Sequence, residues 1–365
     1  MKLFECHNCG QVLFFENGRC EQCGLLLGFL PEVTSLSALT SDGGDLWHTV
    51  SSPGDAYRFC ANSVHGVCNW LIPAQRPDSF CTACKLNRTV PNLDVTGNLA
   101  LWQRLETAKH RMVYGLLRLR LPLTNRIDDT ERGLAFDFLS DKTDLFREGP
   151  QVITGHAQGV ITINLAEADD AERERHRRDM AEPYRTLLGH FRHEVGHHYW
   201  ERLVRGSDNL DAFRNLFGDE QQDYAAALST HYAYGPSYDW QQHHVSSYAS
   251  SHPWEDFAET WAHYMHIVDT LETAAAFGIK LQPGPGPSQA TDVQVGFDPY
   301  RQRDFDPLIG AWLPLTYAVN SMNRSMGQPD LYPFVLAPPV IDKLRFVHNL
   351  INAAEETSPT VPTSR

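Results

Sequence analysis

Apolar residues return at helical spacing in three stretches of the chain. Between about Asp94 and Leu121, Leu99, Trp102, Leu105, Met112, Leu116 and Leu119 recur at near-helical intervals, and Pro122 ends the run, which predicts a helix of several turns. A second helix is predicted to open at Pro183 and to bury Leu188, Phe191, Val195, Tyr199 and Leu203 along one face before Gly206. A third starts at Pro253, carries Trp254, Phe257, Ala258, Trp261 and Met265, and is closed by Gly278. Between the first two, residues 133 to 165 alternate in the manner of strands, most clearly from Val160 to Leu165, which predicts a short sheet. The first 90 residues show no long helical period and are punctuated by Gly, Pro and cysteine pairs. Residues Pro31 to Pro53, mostly Ser, Thr, Gly and Asp, suit a connector between two small modules. Residues 281–296 read as a linker and 355–365 as an unstructured polar tail. The expected class is α+β, with modules over 1–90, a mixed core over 91–280, a helical extension over 281–354 and the tail over 355–365.

Composition narrows the functional classes. The 365 residues, 42% hydrophobic and 21% charged, are those of a folded protein of two or three domains. A net charge of −14 argues against a protein that coats nucleic acid, whose affinity comes largely from Lys and Arg on phosphates. No stretch approaches a membrane-spanning run, and Met1 to Gly10 lacks the apolar core of a secretory leader. The expected address is therefore cytoplasmic, with neither nucleic acid nor membrane as partner.

All eight cysteines lie between Cys6 and Cys84. In a reducing compartment, Cys-x-x-Cys pairs read as metal ligands. Cys6, Cys9, Cys20 and Cys23 form two knuckles a short hairpin apart and offer four thiolates to a tetrahedral zinc. Cys60, Cys68, Cys81 and Cys84 form a second set with one clean knuckle, in which His65 is an alternative to Cys60 or Cys68. Four thiolates close the coordination sphere, so both ions are expected to be structural, folding units too small to build a core. Residues 1 to 90 hold six Lys and Arg against eight Asp and Glu, which is no phosphate-gripping surface. Docking of a protein partner stays open.

The histidines belong to other chemistry, ten of the 17 falling between His190 and His266. His193-Glu194-Val195-Gly196-His197 is a His-Glu-x-x-His motif on the second predicted helix. Residues four apart share a face, so both imidazoles can hold one zinc while Glu194 reaches its water. A catalytic zinc needs a third protein ligand. On the third predicted helix Glu255 and Glu259 share a face, and one is expected to ligate while the other supports. Glu255 sits in the first turn, where the helix dipole keeps a carboxylate ionised. Glu259, deeper among aromatics, needs a partner such as the far nitrogen of His193 or His197. His263 is expected as a further supporting polar group rather than a ligand. His190 is read as exposed, His198 as a surface or supporting residue, and His243 and His244 as solvated loop residues.

The cysteine set, together with FCANSVHGVCNW, HEVGHHYW and HPWEDFAETWAHY, resembles a bacterial family of zinc-binding metallopeptidases that carry an N-terminal zinc ribbon, over nearly the whole chain. More distantly, Tyr248-x6-Glu255-x2-Ala258-Glu259 is similar to the corresponding segment of anthrax lethal factor, a zincin of the glutamate-ligand kind. The resemblance implies a zincin-like fold of active helix plus small sheet, with Glu255 as third ligand, Glu259 behind the ligands, and Tyr248 as an oxyanion stabiliser. It also implies that the strand from Val160 is the edge that pairs with an extended substrate. The expected activity is hydrolysis of a peptide or isopeptide bond by a zinc-bound water activated by Glu194, with one catalytic and two structural Zn2+ ions. The alternative is a zinc-ribbon interaction module whose zincin core binds without cutting.

Overall fold

In the computed structural model, which describes residues 1–41, 43–140, 143–144, 147–148, 154–179, 186–282 and 292–357, the polar stretch expected to be a connector is instead sheet. Strands Leu27–Leu30, Ser35–Ser41, Trp47–Thr49, Ser52–Phe59 and Leu71–Pro73 pair antiparallel in chain order. Leu36, Ala38 and Leu39 are buried, and so is Ser37, so both faces of the second strand are covered. Small Ser and Thr side chains fit a covered pleat, which is why composition alone misplaced the segment. Leu30, Leu39 and Leu71 pack on one face with Trp47, Tyr57 and Phe59 against them. Phe29 meets Trp70 at 4.7 Å between ring centroids and Phe15 at 4.9 Å, which ties the sheet to the first cysteine hairpin.

The chain divides into two compact units, one of Met1–Arg118 with Leu123–Arg173, the other of Leu119–Pro122 with Glu174–Arg365. The first compact unit thus continues past residue 90, where the cysteine modules are expected to end. The cause is visible locally: Asn87–Thr89, three residues after Cys84, is a strand of a second, four-stranded sheet whose order is 155–157, 160–164, 135–139, 87–89. Helix α1 (Asn98–Arg118) follows directly, with Trp102, Leu105, Met112 and Leu116 buried as its period requires. Within this sheet Val160–Asn164 lies between Gly155–Ala157 and Ala135–Leu139, pairing antiparallel with the first and parallel with the second. The expected substrate-pairing edge is therefore an inner strand, its ladder already filled on both sides. Helix α2 (Asp170–Asp179) starts in the first unit and continues into the second.

The second unit is helical. Helix α3 (Leu187–Leu203) begins after Thr186, whose hydroxyl accepts the Gly189 N–H at 3.0 Å. The start expected at Pro183 lies outside the described residues. Two short helices follow, α4 (Leu210–Phe217) and α5 (Tyr224–Tyr234). Helix α6 (Pro253–Ala276) matches its expected bounds, with the His252 ring accepting the Trp254 N–H at 3.1 Å as its cap. Helices α7 (Phe305–Ser325) and α8 (Pro338–Thr357) complete the unit, and α8 runs past residue 355, where a tail was expected. The rest of that tail, and most of the expected linker, lie outside the described residues. The linker's ends, Lys280–Leu281 and Val293–Gln294, pair antiparallel. No helix among the described residues is long and apolar enough to cross a membrane.

Helices α3 and α6 approach closely at one point. A Cβ on Gly196 would lie 3.0 Å from Ala258 Cα and 3.1 Å from Trp261 Cβ, so glycine at this position lets the helices close, and Tyr199 stacks on Trp261 beside it at 5.0 Å. Because the obstruction is partly backbone, Gly196→Ala is expected to cost about 1–3 kcal/mol and to lower the melting temperature by several degrees. A melting curve that superimposes on wild type would contradict this packing.

Candidate metal centres and active site

In the first unit the cysteines converge in two groups of four, and within each group all four sulfurs lie within 4.8 Å of one another. Sγ–Sγ separations are 3.7 Å for Cys6 and Cys23, 3.6 Å for Cys9 and Cys20, and 3.7 Å for Cys68 and Cys81. Four thiolates at zinc–sulfur bond length on a tetrahedron stand about 3.8 Å apart, so these spacings fit an ion at each centre. Backbone N–H groups of Trp70, Cys81 and Cys84 point at the sulfurs of Cys68, Cys60 and Cys81, each at 3.4 Å, as zinc knuckles require. His65 is outside the set and packs on Trp102.

Sequence reading missed what lies behind the second centre. Buried His110 places Nε2 3.9 Å from Cys84 Sγ and Nδ1 2.7 Å from the Glu106 carbonyl, which fixes its ring. Lys109, fully buried, pairs with Glu106 at 2.8 Å. Four thiolates around Zn2+ leave a net negative charge, and a buried cation on this side offsets it. All these residues lie on α1, so the helix and the second cysteine centre are one structural piece.

The second unit gathers the motif residues. His193, Glu194 and His197 face inward on α3 and are buried, as is Glu255 in the first turn of α6. His193 Nε2 lies 3.2 Å from His197 Nε2, and Glu255 Oε2 lies 2.9 Å and 3.3 Å from these two nitrogens. That oxygen is aligned for a hydrogen bond with neither, and has no hydrogen-bond partner among the described residues. Three lone-pair atoms facing one point at such separations match the roughly 3.3 Å edge of a tetrahedron of zinc ligands at 2.0–2.1 Å. The donor set therefore fits a metal ion on the atoms themselves.

The atoms behind support the same orientation. His193 Nδ1 is 2.7 Å from Glu259 Oε1, and Ser246 donates to Glu259 Oε2 at 2.6 Å. A proton on Nδ1 shared with a carboxylate leaves Nε2 with its lone pair forward. Burial pushes the Glu259 carboxyl up, but the hydrogen bond and charge of His193, helped by His263 and Ser246, hold it at about 2. Trp254 covers His197, ring on ring at 3.7 Å. Burial also presses Glu194 toward its neutral form, yet His190, with Nε2 3.5 Å away, and the two motif histidines bring its carboxyl below the usual range.

Other expected residues are placed differently. His263 turns to the Tyr332 hydroxyl at 2.7 Å. His190, read as exposed, is half-buried beside Glu194. His198 is buried against Tyr199. His244 is not a solvated loop residue: its Nδ1 is 3.1 Å from buried Asp256, which also pairs with Lys343 at 2.6 Å, whereas His243 is exposed. Tyr248 opens a short turn before α6 and sits 5.9 Å from the His193 ring. Tyr224, which sequence reading did not single out, donates its hydroxyl to Glu255 Oε1 at 2.6 Å.

Comparisons with known proteins add family information. A family described as "Putative zinc-binding metallo-peptidase" matches residues 98–350, and a zinc-ribbon domain family matches residues 3–95. Curated relatives from Mycobacterium bovis and Mycobacterium tuberculosis, each an uncharacterized protein, are 44% identical over 353 residues, covering 96% of this chain and 96% of theirs. No solved structure matches the chain, so these comparisons lend nothing to the likeness with lethal factor.

Proposed function

The chain belongs to the zinc-binding metallo-peptidase family and carries that family's domain together with an N-terminal zinc ribbon, and from that premise we propose that it hydrolyses a peptide or isopeptide bond at the site on α3 and α6. The observation that carries this reading is the convergence of His193 Nε2, His197 Nε2 and Glu255 Oε2, with Glu194 on the same helix. These three residues would hold a zinc ion, and the cysteine centres two more. When bound, the ion supplies a Lewis acid that acidifies water and polarises a carbonyl.

The protein's own groups do the remaining work. Glu194, ionised and steadied by His190, accepts a proton from the attacking water and returns it to the departing amine. Tyr248, beside His193, offers its hydroxyl to the developing oxyanion. Glu259 holds the His193 ring in place, so that no reorientation is needed as the reaction proceeds.

A pure binder has no use for a water-activating carboxylate, and an intact, buried Glu194 favours the hydrolase over a non-cutting interaction module. Zinc-loaded protein is expected to cleave members of a broad peptide library that the Glu194→Gln protein leaves intact. Equally poor cleavage by both would contradict the reading and favour the binding module.

A further inference from the structure

We propose that Tyr224 is a positioning residue that commits Glu255 to holding the metal through one oxygen only. The proposal rests on the reading of His193, His197 and Glu255 as ligands and adds to it a residue from another helix. A carboxylate has two oxygens, and either one or both can bind an ion. Here they are already divided: Oε2 faces the two imidazole nitrogens, while Oε1 accepts the Tyr224 hydroxyl at 2.6 Å. That distance is typical of a hydroxyl bonded to an ionised carboxylate, one of the stronger classes of hydrogen bond.

The placement of Tyr224 is built from several contacts. Tyr224 is the first residue of α5, whose start is fixed by Asp223 accepting the Ala226 N–H at 3.0 Å. Its ring stands edge-on to His252 at 5.2 Å and to Trp254 at 5.7 Å, and Trp254 is the residue that covers His197. The Tyr224 hydroxyl thus occupies Oε1, and for that oxygen to swing onto the ion this hydrogen bond would have to break. One-oxygen ligation keeps a position free for water and substrate. Helix α5 has no buried residue, so the Tyr224 hydroxyl also fastens an exposed helix to the metal ligand.

The test replaces the ion of this site with cobalt(II) and compares wild type, Tyr224→Phe and Glu255→Ala, reading chelator competition and the visible absorption of that ion as the difference from Glu255→Ala. Tyr224→Phe is expected to weaken the metal about 10- to 100-fold. Its absorption is expected to fall in intensity as the carboxylate adds its second oxygen and coordination rises. Wild-type affinity and an unchanged band in Tyr224→Phe, with the ion lost from Glu255→Ala, would overturn the role of Tyr224 and leave the ligand assignment standing. An ion retained by Glu255→Ala would overturn the ligand reading, and the proposal with it.

Discussion

Replacing Glu194 with Gln is expected to lower peptide hydrolysis by about 10²- to 10⁴-fold, the range of a general acid–base, while the metal content stays at the wild-type level. The amide keeps the size of the carboxylate but cannot take a proton. Because Glu194 points from the same helix as His193 and His197 but is not one of the three converging ligands, its loss should leave the ion in place. The loss should fall on kcat more than on KM, since Glu194 acts on the reacting water rather than on the bound chain. Comparing turnover of a cleaved peptide by both proteins, each assayed for zinc, checks this. Equal turnover would remove Glu194 from the mechanism, and lost zinc would make it a structural residue.

The second large effect concerns the cysteine centres. Cys81→Ser is expected to release the ion of the second centre and to unfold its surroundings, because structural zinc in small cysteine sites contributes about 10–16 kcal/mol. The damage should spread. Cys84 contacts His110, Lys109 is buried beside it, and Asn87–Thr89 enters the four-stranded sheet directly after the last cysteine. Without the ion the Cys84–His110 contact and the chain leading from Cys84 into the sheet lose their anchor, while Lys109 keeps its pairing with Glu106. Limited proteolysis is then expected to cut within residues 60–118 of the variant and to spare them in wild type. A Cys81→Ser protein with wild-type zinc and proteolytic resistance would contradict the coupling of this centre to α1.

The parts of this molecule that local spacing governs were legible in the sequence. The extents of α1 and α6 follow their apolar periods and their Pro and Gly boundaries to within a few residues. His193 and His197 meet because positions four apart on a helix must, and Glu255 and Glu259 likewise share one face of α6. That Glu259 needs a partner such as the far nitrogen of His193 or His197 followed from the cost of leaving a carboxylate unpaired among aromatics, and His193 is the one beside it.

What was misread depends on distant partners. Ser35–Ser41 looks like a linker until both its faces are covered, and Val160–Asn164 looks like an edge until Gly155–Ala157 pairs beside it. His244 reads as a loop residue because its partner, Asp256, comes twelve positions later and is itself shared with Lys343 on α8. Tyr224 lies 31 residues before Glu255 on a helix whose apolar residues are spread round it rather than gathered on one face, so no period or motif marks it. The available signal was chemical: a carboxylate asked to hold a metal through one oxygen leaves the other in need of a donor.

Zinc content decides whether His193, His197 and Glu255 hold an ion in addition to those of the cysteine centres. Elemental analysis of zinc per chain, on wild type and on Glu255→Ala, tests this most directly. Three ions are expected in wild type and two in Glu255→Ala, the two that remain belonging to the cysteine centres. Two ions in wild type, unchanged by Glu255→Ala, would contradict this ligand set.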